Sequence, residues 1–144
     1  MSLEKISSIQ ILEVDSLECF KVLKENNNAN LIDVRTSSEW SFVGVPDLTS
    51  INKVPIFISW ELYPSMNQNI NFKNEIIQSK IKKNDLIFFL CRAGNRSYRA
   101  AQYLATLNYK QCVNVCDGFE GNMNSNNHRS KINGWKFNKL PWKQ

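Results

Sequence analysis

The stretch Leu86-Ile87-Phe88-Phe89-Leu90-Cys91-Arg92-Ala93-Gly94-Asn95-Arg96-Ser97-Tyr98-Arg99-Ala100-Ala101 decides how the rest of the chain is read. Five apolar residues follow the turn pair Asn84-Asp85, the pattern of a buried strand, whereas Ala100, Ala101, Leu104, Ala105 and Leu107 recur at helical spacing. Cys91 therefore stands where a strand gives way to a helix. First-turn N–H groups have no intrahelical partners and the helix dipole is positive at that end, so a thiolate placed there is stabilised and Cys91 is a candidate nucleophile. Gly94 admits backbone conformations closed to other residues, and Arg92 and Arg96 add positive charge. The loop Arg92, Ala93, Gly94, Asn95, Arg96, Ser97 reads as an anion cradle around a thiolate. A structural cysteine at a buried strand end would need neither the glycine nor the two arginines.

Working outward, 144 residues with a 42% hydrophobic fraction suffice for one domain with a real core, and residues 1–144 are read as a single domain. Met1 to Ser8 has an early acid and no apolar run, unlike a secretory signal, and no stretch approaches the roughly 20 apolar residues of a membrane span. The expectation is a soluble, cytoplasmic chain without membrane partners. The net charge of +5 raises the question of nucleic acid, but the lysines are scattered and no basic stripe is interleaved with aromatics. No nucleic-acid partner is expected, while the charge favours approach of small anions.

Cys19, Cys91, Cys112 and Cys116 lack the spacing of a disulfide framework. If Cys112 and Cys116 share one strand, they lie about 13 Å apart, beyond disulfide reach. Without a Cys-x-x-Cys pair, and with His128 as the one histidine, no metal and no other cofactor is expected.

The remaining elements alternate. Ser7 to Leu12 suggests a short first strand, after which Asp15 or Ser16 caps a helix carrying Leu17, Phe20, Val22 and Leu23 that ends at Asn26-Asn27-Asn28. Leu31 to Arg35 reads as a buried strand running into a helix capped by Thr36 or Ser37, with Glu39 in its first turn. Val54 to Ser59 is a further strand, Trp60 to Asn71 an aperiodic aromatic loop with a possible place in a substrate wall, and Phe72 to Ile81 an amphipathic helix. Cys112 to Val115 is the final parallel strand, and the aromatic tail from Gly134 to Trp142 is expected to pack on the body. The fold class is α/β, a central mostly parallel sheet with helices on both faces and the site at the carboxyl ends of the strands.

The loop Cys-Arg-x-Gly-x-Arg-Ser between strand and helix resembles the active-site loop of the rhodanese family of sulfurtransferases. Asp33-Val34-Arg35 followed by Glu39-Trp40 resembles that family's N-terminal signature, and Asp117-Gly118-Phe119-Glu120-Gly121 resembles its C-terminal glycine signature. The resemblance implies a bracing role near the loop for Asp33, Arg35 and Glu39. Where many members read Gly-His-Ile-x-Gly-Ala, this chain has Val43-Gly44-Val45-Pro46-Asp47-Leu48. That string and the tail Gly134 to Trp142 are similar to a bacterial, single-domain branch, so the resemblance covers nearly the whole chain.

It implies sulfur transfer through a persulfide on Cys91, from a small donor such as thiosulfate or a persulfide, or from a protein persulfide, to a thiol or cyanide acceptor. Loop N–H groups would hold the persulfide charge, and Arg92 and Arg96 would attract an anionic donor. No base is required, and His128 is read as surface or tail packing. The rival classes are a non-catalytic rhodanese-like interaction or regulatory module, a redox thiol switch, and a cysteine phosphatase or arsenate reductase. A cysteine phosphatase resembles Cys, five residues, then Arg; here four separate Cys91 from Arg96 and Ser97 stands where that arginine would be. The shorter loop suits a sulfur atom.

Overall fold

The computed structural model describes residues 3–144; Met1 and Ser2, which open the stretch read as lacking a secretory signal, lie outside it. In chain order the elements are α1 (Leu3–Ser8), β1 (Leu12–Val14), α2 (Ser16–Glu25), β2 (Ala29–Asp33), α3 (Ser37–Phe42) and β3 (Val45–Pro46). A 3-10 turn (Thr49–Ile51) precedes β4 (Ile56–Phe57), β5 (Glu61–Leu62), β6 (Asn67–Gln68) and α4 (Phe72–Gln78). Then come β7 (Leu86–Leu90), α5 (Asn95–Thr106), β8 (Gln111–Val115) and β9 (Trp142–Lys143). Five strands form the main sheet in the order β1-β8-β7-β2-β4, every pairing parallel.

The continuous apolar run of β7 follows from its central place, because a strand covered on both faces has no solvent side. Ile87 and Phe89 face a core with Ile32, Phe72 and Ile76 of α4, and Ala100, Ala101 and Leu104 of α5. Phe88 and Leu90 face the opposite core, with Cys19 and Leu23 of α2, Val113, Val115 and Trp135. The register Asp33↔Leu90 and Phe89↔Asn114 brings the carboxyl ends of β2, β7 and β8 level. The loops after these strands therefore converge at one edge.

Caps fix where two helices begin. Asp15 accepts from the Glu18 N–H at 2.8 Å at the start of α2, and Thr36 and Glu39 form a reciprocal capping box at the start of α3. The tail is packed as expected from its aromatics: Trp135 is fully buried and its indole N–H donates to Pro141 O at 2.7 Å. β9 pairs antiparallel with β3, and buried Asp117 accepts from Ser16 N–H (2.8 Å), Ser16 Oγ (2.8 Å) and Gly134 N–H (3.1 Å). Burial pushes the Asp117 carboxyl above its ordinary value, against the pull of those donors.

The structure departs from expectation in three segments. Ser7 and Ser8 close helix α1, their hydroxyls donating to the carbonyls of Glu4 and Lys5, and the first strand begins only at Leu12, where it meets Val113. The Trp60 to Asn71 loop contains a hairpin, Glu61–Leu62 against Asn67–Gln68, with strands too short for any periodicity to show. Helix α4 stops at Gln78, Lys80 takes a positive φ of 66°, and of the three isoleucines read on one face Ile77 is 56% exposed. Among the described residues, no helix is long and apolar enough to cross a membrane.

Candidate active site

Cys91 follows β7 directly and is 1% exposed. Its Sγ accepts a hydrogen bond from Gly94 N–H at 3.1 Å, and Ser97 Oγ stands 3.1 Å away. Ser97 Oγ is also 3.2 Å from Gly94 O, so its single proton serves one acceptor at a time. Gly94 turns the chain into α5 with φ of 110°, and a Cβ there would lie 2.5 Å from Cys116 O. Only glycine meets both demands. The N–H groups of Arg92, Ala93, Asn95, Arg96 and Ser97 donate to no other described residue, leaving the loop and the first turn of α5 rich in unpaired donors.

The loop is framed through its backbone by the turn after β8. Phe119 N–H donates to Cys91 O at 2.8 Å, and the N–H groups of Glu120 and Gly121 donate to Arg92 O at 3.0 and 3.1 Å. Gly118 (φ 66°) allows this contact, since a Cβ on it would stand 2.3 Å from Arg92 O. Asn114 Nδ2 donates to Gly94 O at 3.0 Å from the side of β8. Two loop carbonyls are thus held by the turn. Asn114 was not singled out from sequence, and Gly118 and Phe119 entered only as part of the 117–121 signature.

Asp33 and Arg35 lie beneath the loop, both fully buried. Arg35 Nη2 donates to Asp33 Oδ2 at 2.8 Å and to Gly44 O at 2.7 Å, and the guanidinium carbon stacks 4.3 Å from the centre of the Phe119 ring. The pair thus supports the residue that holds Cys91 O. Glu39 reaches Arg96 with two bonds of 2.7 and 2.9 Å and also accepts from Thr36 N–H and Thr36 Oγ1. Burial works against both charges, yet the pairing prevails: Arg96 is held above its ordinary value and Glu39 is pulled down to about 2. Arg96, expected to draw anions to the loop, is paired with Glu39. Arg92 is exposed and its side chain makes no hydrogen bond or ion pair with another described residue.

The other thiols differ. Burial pushes Cys112 up to about 12 and raises Cys19 and Cys116, with the Asp117 carboxylate adding to the effect on both. All four cysteines are free. His128 lies in an exposed turn, its N–H donating to Asn124 Oδ1, and Trp60 is largely buried, its ring packed against those of Phe72 and Tyr103. Among the described residues no cluster of three metal-ligating side chains occurs.

The Glu39–Arg96 pair carries a pH signature. Because the folded value of Glu39 lies below its ordinary 4.5, its contribution is complete above about 4.5 and is lost as pH falls through about 2. Glu39→Gln should be less stable than the parent by about 1–3 kcal/mol at pH 7. That gap should close across the acid window in urea titrations; a gap independent of pH from 7 to 2 contradicts the assignment.

Comparison with known proteins gives a consistent picture. A family model described as "STR4 middle domain" matches residues 13–144. An uncharacterized protein of Rickettsia prowazekii is 44% identical over 133 residues, 92% of this chain and 97% of that protein. The crystal structure of Rv0390 from M. tuberculosis superposes with a TM-score of 0.85 at 36% identity, covering 94% of this chain and 99% of that one. More distantly, a protein of the yeast Ogataea parapolymorpha named adenylyltransferase and sulfurtransferase uba4 is 26% identical over 108 residues, 75% of this chain and 23% of its own length.

Proposed function

The chain belongs to the STR4 middle domain family, and from that premise we propose that it is a sulfurtransferase carrying a sulfane sulfur as a persulfide on Cys91. The fold is rhodanese-like, and the chain is distantly homologous to sulfurtransferase domains. The observation that carries the reading is a buried cysteine that accepts from Gly94 N–H, in a loop whose N–H groups at Arg92, Ala93, Asn95, Arg96 and Ser97 have no partner among the described residues.

Sulfur moves in two displacements. The Cys91 thiolate attacks the outer sulfur of thiosulfate; the new S–S bond forms as the donor's S–S bond breaks, and sulfite leaves with the electron pair. A thiolate or cyanide then attacks the outer persulfide sulfur, takes it as a new persulfide or thiocyanate, and returns the Cys91 thiolate. No electron is lost overall, so no redox cofactor is needed. Gly94 N–H, Ser97 O–H and the free loop donors stabilise the terminal sulfur anion. Arg92, Ala93, Gly94, Asn95, Arg96 and Ser97 form the cradle; Asp33, Arg35 and Glu39 brace it.

Intact mass after exposure to thiosulfate tests this reading. The protein should gain one sulfur and lose it on adding cyanide or a low-molecular-weight thiol. No gain from any sulfane donor would leave a binding role in its place. Arg92, the loop cation left without a partner, should grip the donor: Arg92→Ala should lower thiosulfate turnover about ten- to a hundredfold, the equivalent of losing one charge-assisted bond of about 1.5–3 kcal/mol. Unchanged turnover in that variant rejects the role. A protein persulfide donor, bound by its own surface, should depend on Arg92 less.

A further inference from the structure

One turn along α5 from the cysteine loop, a cleft of about 650 Å³ opens between α1, α5, the end of the β5–β6 hairpin and the start of α4, with no loop residue in its lining. Its walls are apolar and aromatic. Trp60 stands with its ring centre 5.0 Å from Phe72 and 5.8 Å from Tyr103, and Ile70 at the mouth is 89% exposed. A volume of this size, apolar walls and a few convergent polar groups are what small organic ligands require.

The amides of Gln68, Asn69 and Gln102 offer both donors and acceptors, so the sign of the site is set by its charged groups and by two further donors. The Trp60 indole N–H and the Tyr103 hydroxyl donate to no described residue. Lys73 lines the cleft without an ion pair, and Arg99 has only a 4.0 Å approach to Glu61 Oε2. One carboxylate, Glu4, faces these two cations on the lining. Apolar walls select an apolar body, and two cations against one carboxylate favour an anionic head.

We infer that this cleft binds a small aromatic carboxylate, its ring against Trp60, Phe72 and Tyr103 and its carboxylate on Lys73 and Arg99. The site is separate from Cys91 and does not depend on the sulfur chemistry proposed above.

The fluorescent probe 8-anilinonaphthalene-1-sulfonate, an aromatic body with an anionic group, tests the site on the full chain. It should bind saturably at one molecule per chain and be displaced by 4-phenylbutyrate but not by the corresponding neutral amide. Lys73→Ala combined with Arg99→Ala should weaken probe binding about ten- to a hundredfold, and Ile70→Glu should weaken it independently. Circular dichroism should show both variants folded as the parent. Cys91→Ser should bind the probe as the parent does. Non-saturable binding, equal displacement by the amide, undiminished affinity in the folded charge variant, or loss of binding in Cys91→Ser would each overturn the inference.

Discussion

Cys91→Ser should lose sulfur transfer by at least about a thousandfold, some 4 kcal/mol in barrier, while melting within a few degrees of the parent. The oxygen fits where the sulfur was and still meets Gly94 N–H and Ser97 Oγ, so the loop geometry is preserved. What disappears is the atom that can form and break an S–S bond. Mass spectrometry after thiosulfate should show no added sulfur on the variant. Serine at Cys19, Cys112 or Cys116 should leave at least about a tenth of the activity, because those thiols are raised above their ordinary value and none sits in the loop. Persulfide formation by Cys91→Ser, or its collapse in folded Cys116→Ser, would move the nucleophile elsewhere.

Arg35→Met should destabilise the fold by about 3–5 kcal/mol, a large share of the 5–15 kcal/mol typical of a domain. Asp33 is fully buried and would keep only the backbone N–H of residue 35 at 3.1 Å as a donor. A lone carboxylate in that position costs far more than the pair contributes, and the support beneath Phe119 goes with it. The double variant Asp33→Asn with Arg35→Met removes the orphaned charge and should recover part of the loss in urea unfolding. A single variant within about 0.5 kcal/mol of the parent, or a double variant weaker than the single, would show that the buried charge is not what matters.

What was legible in the chain was what is local. The strand, loop and helix from Leu86 to Thr106 are contiguous, so one apolar run, one glycine and one helical period revealed them. The same holds for Asp15 and Thr36, whose capping bonds span three residues. The pairing of Arg96 with Glu39 was not legible because the two are 57 residues apart and nothing in an Arg-Ser pair announces a distant carboxylate. The hold of residues 119–121 on the loop is made by backbone groups that every residue type possesses, so side chains could not announce it. The hairpin Glu61–Gln68 has paired segments of two residues, too short for alternation to register.

The carbonyl bonds from the 118–121 turn separate two properties of the loop that one might expect to vary together. They grip the main chain at 91 and 92, so the path of the backbone does not depend on which side chain stands at 92 or 93. Replacements there can change the loop's outer surface while Gly94 N–H stays on the Cys91 sulfur. The turn itself has no such latitude: with a Cβ 2.3 Å from Arg92 O, Gly118 cannot be exchanged without displacing the loop. Substitution therefore has room at the loop's side chains, whereas the positions that hold the loop's backbone lie some twenty-five residues downstream, in the turn after β8.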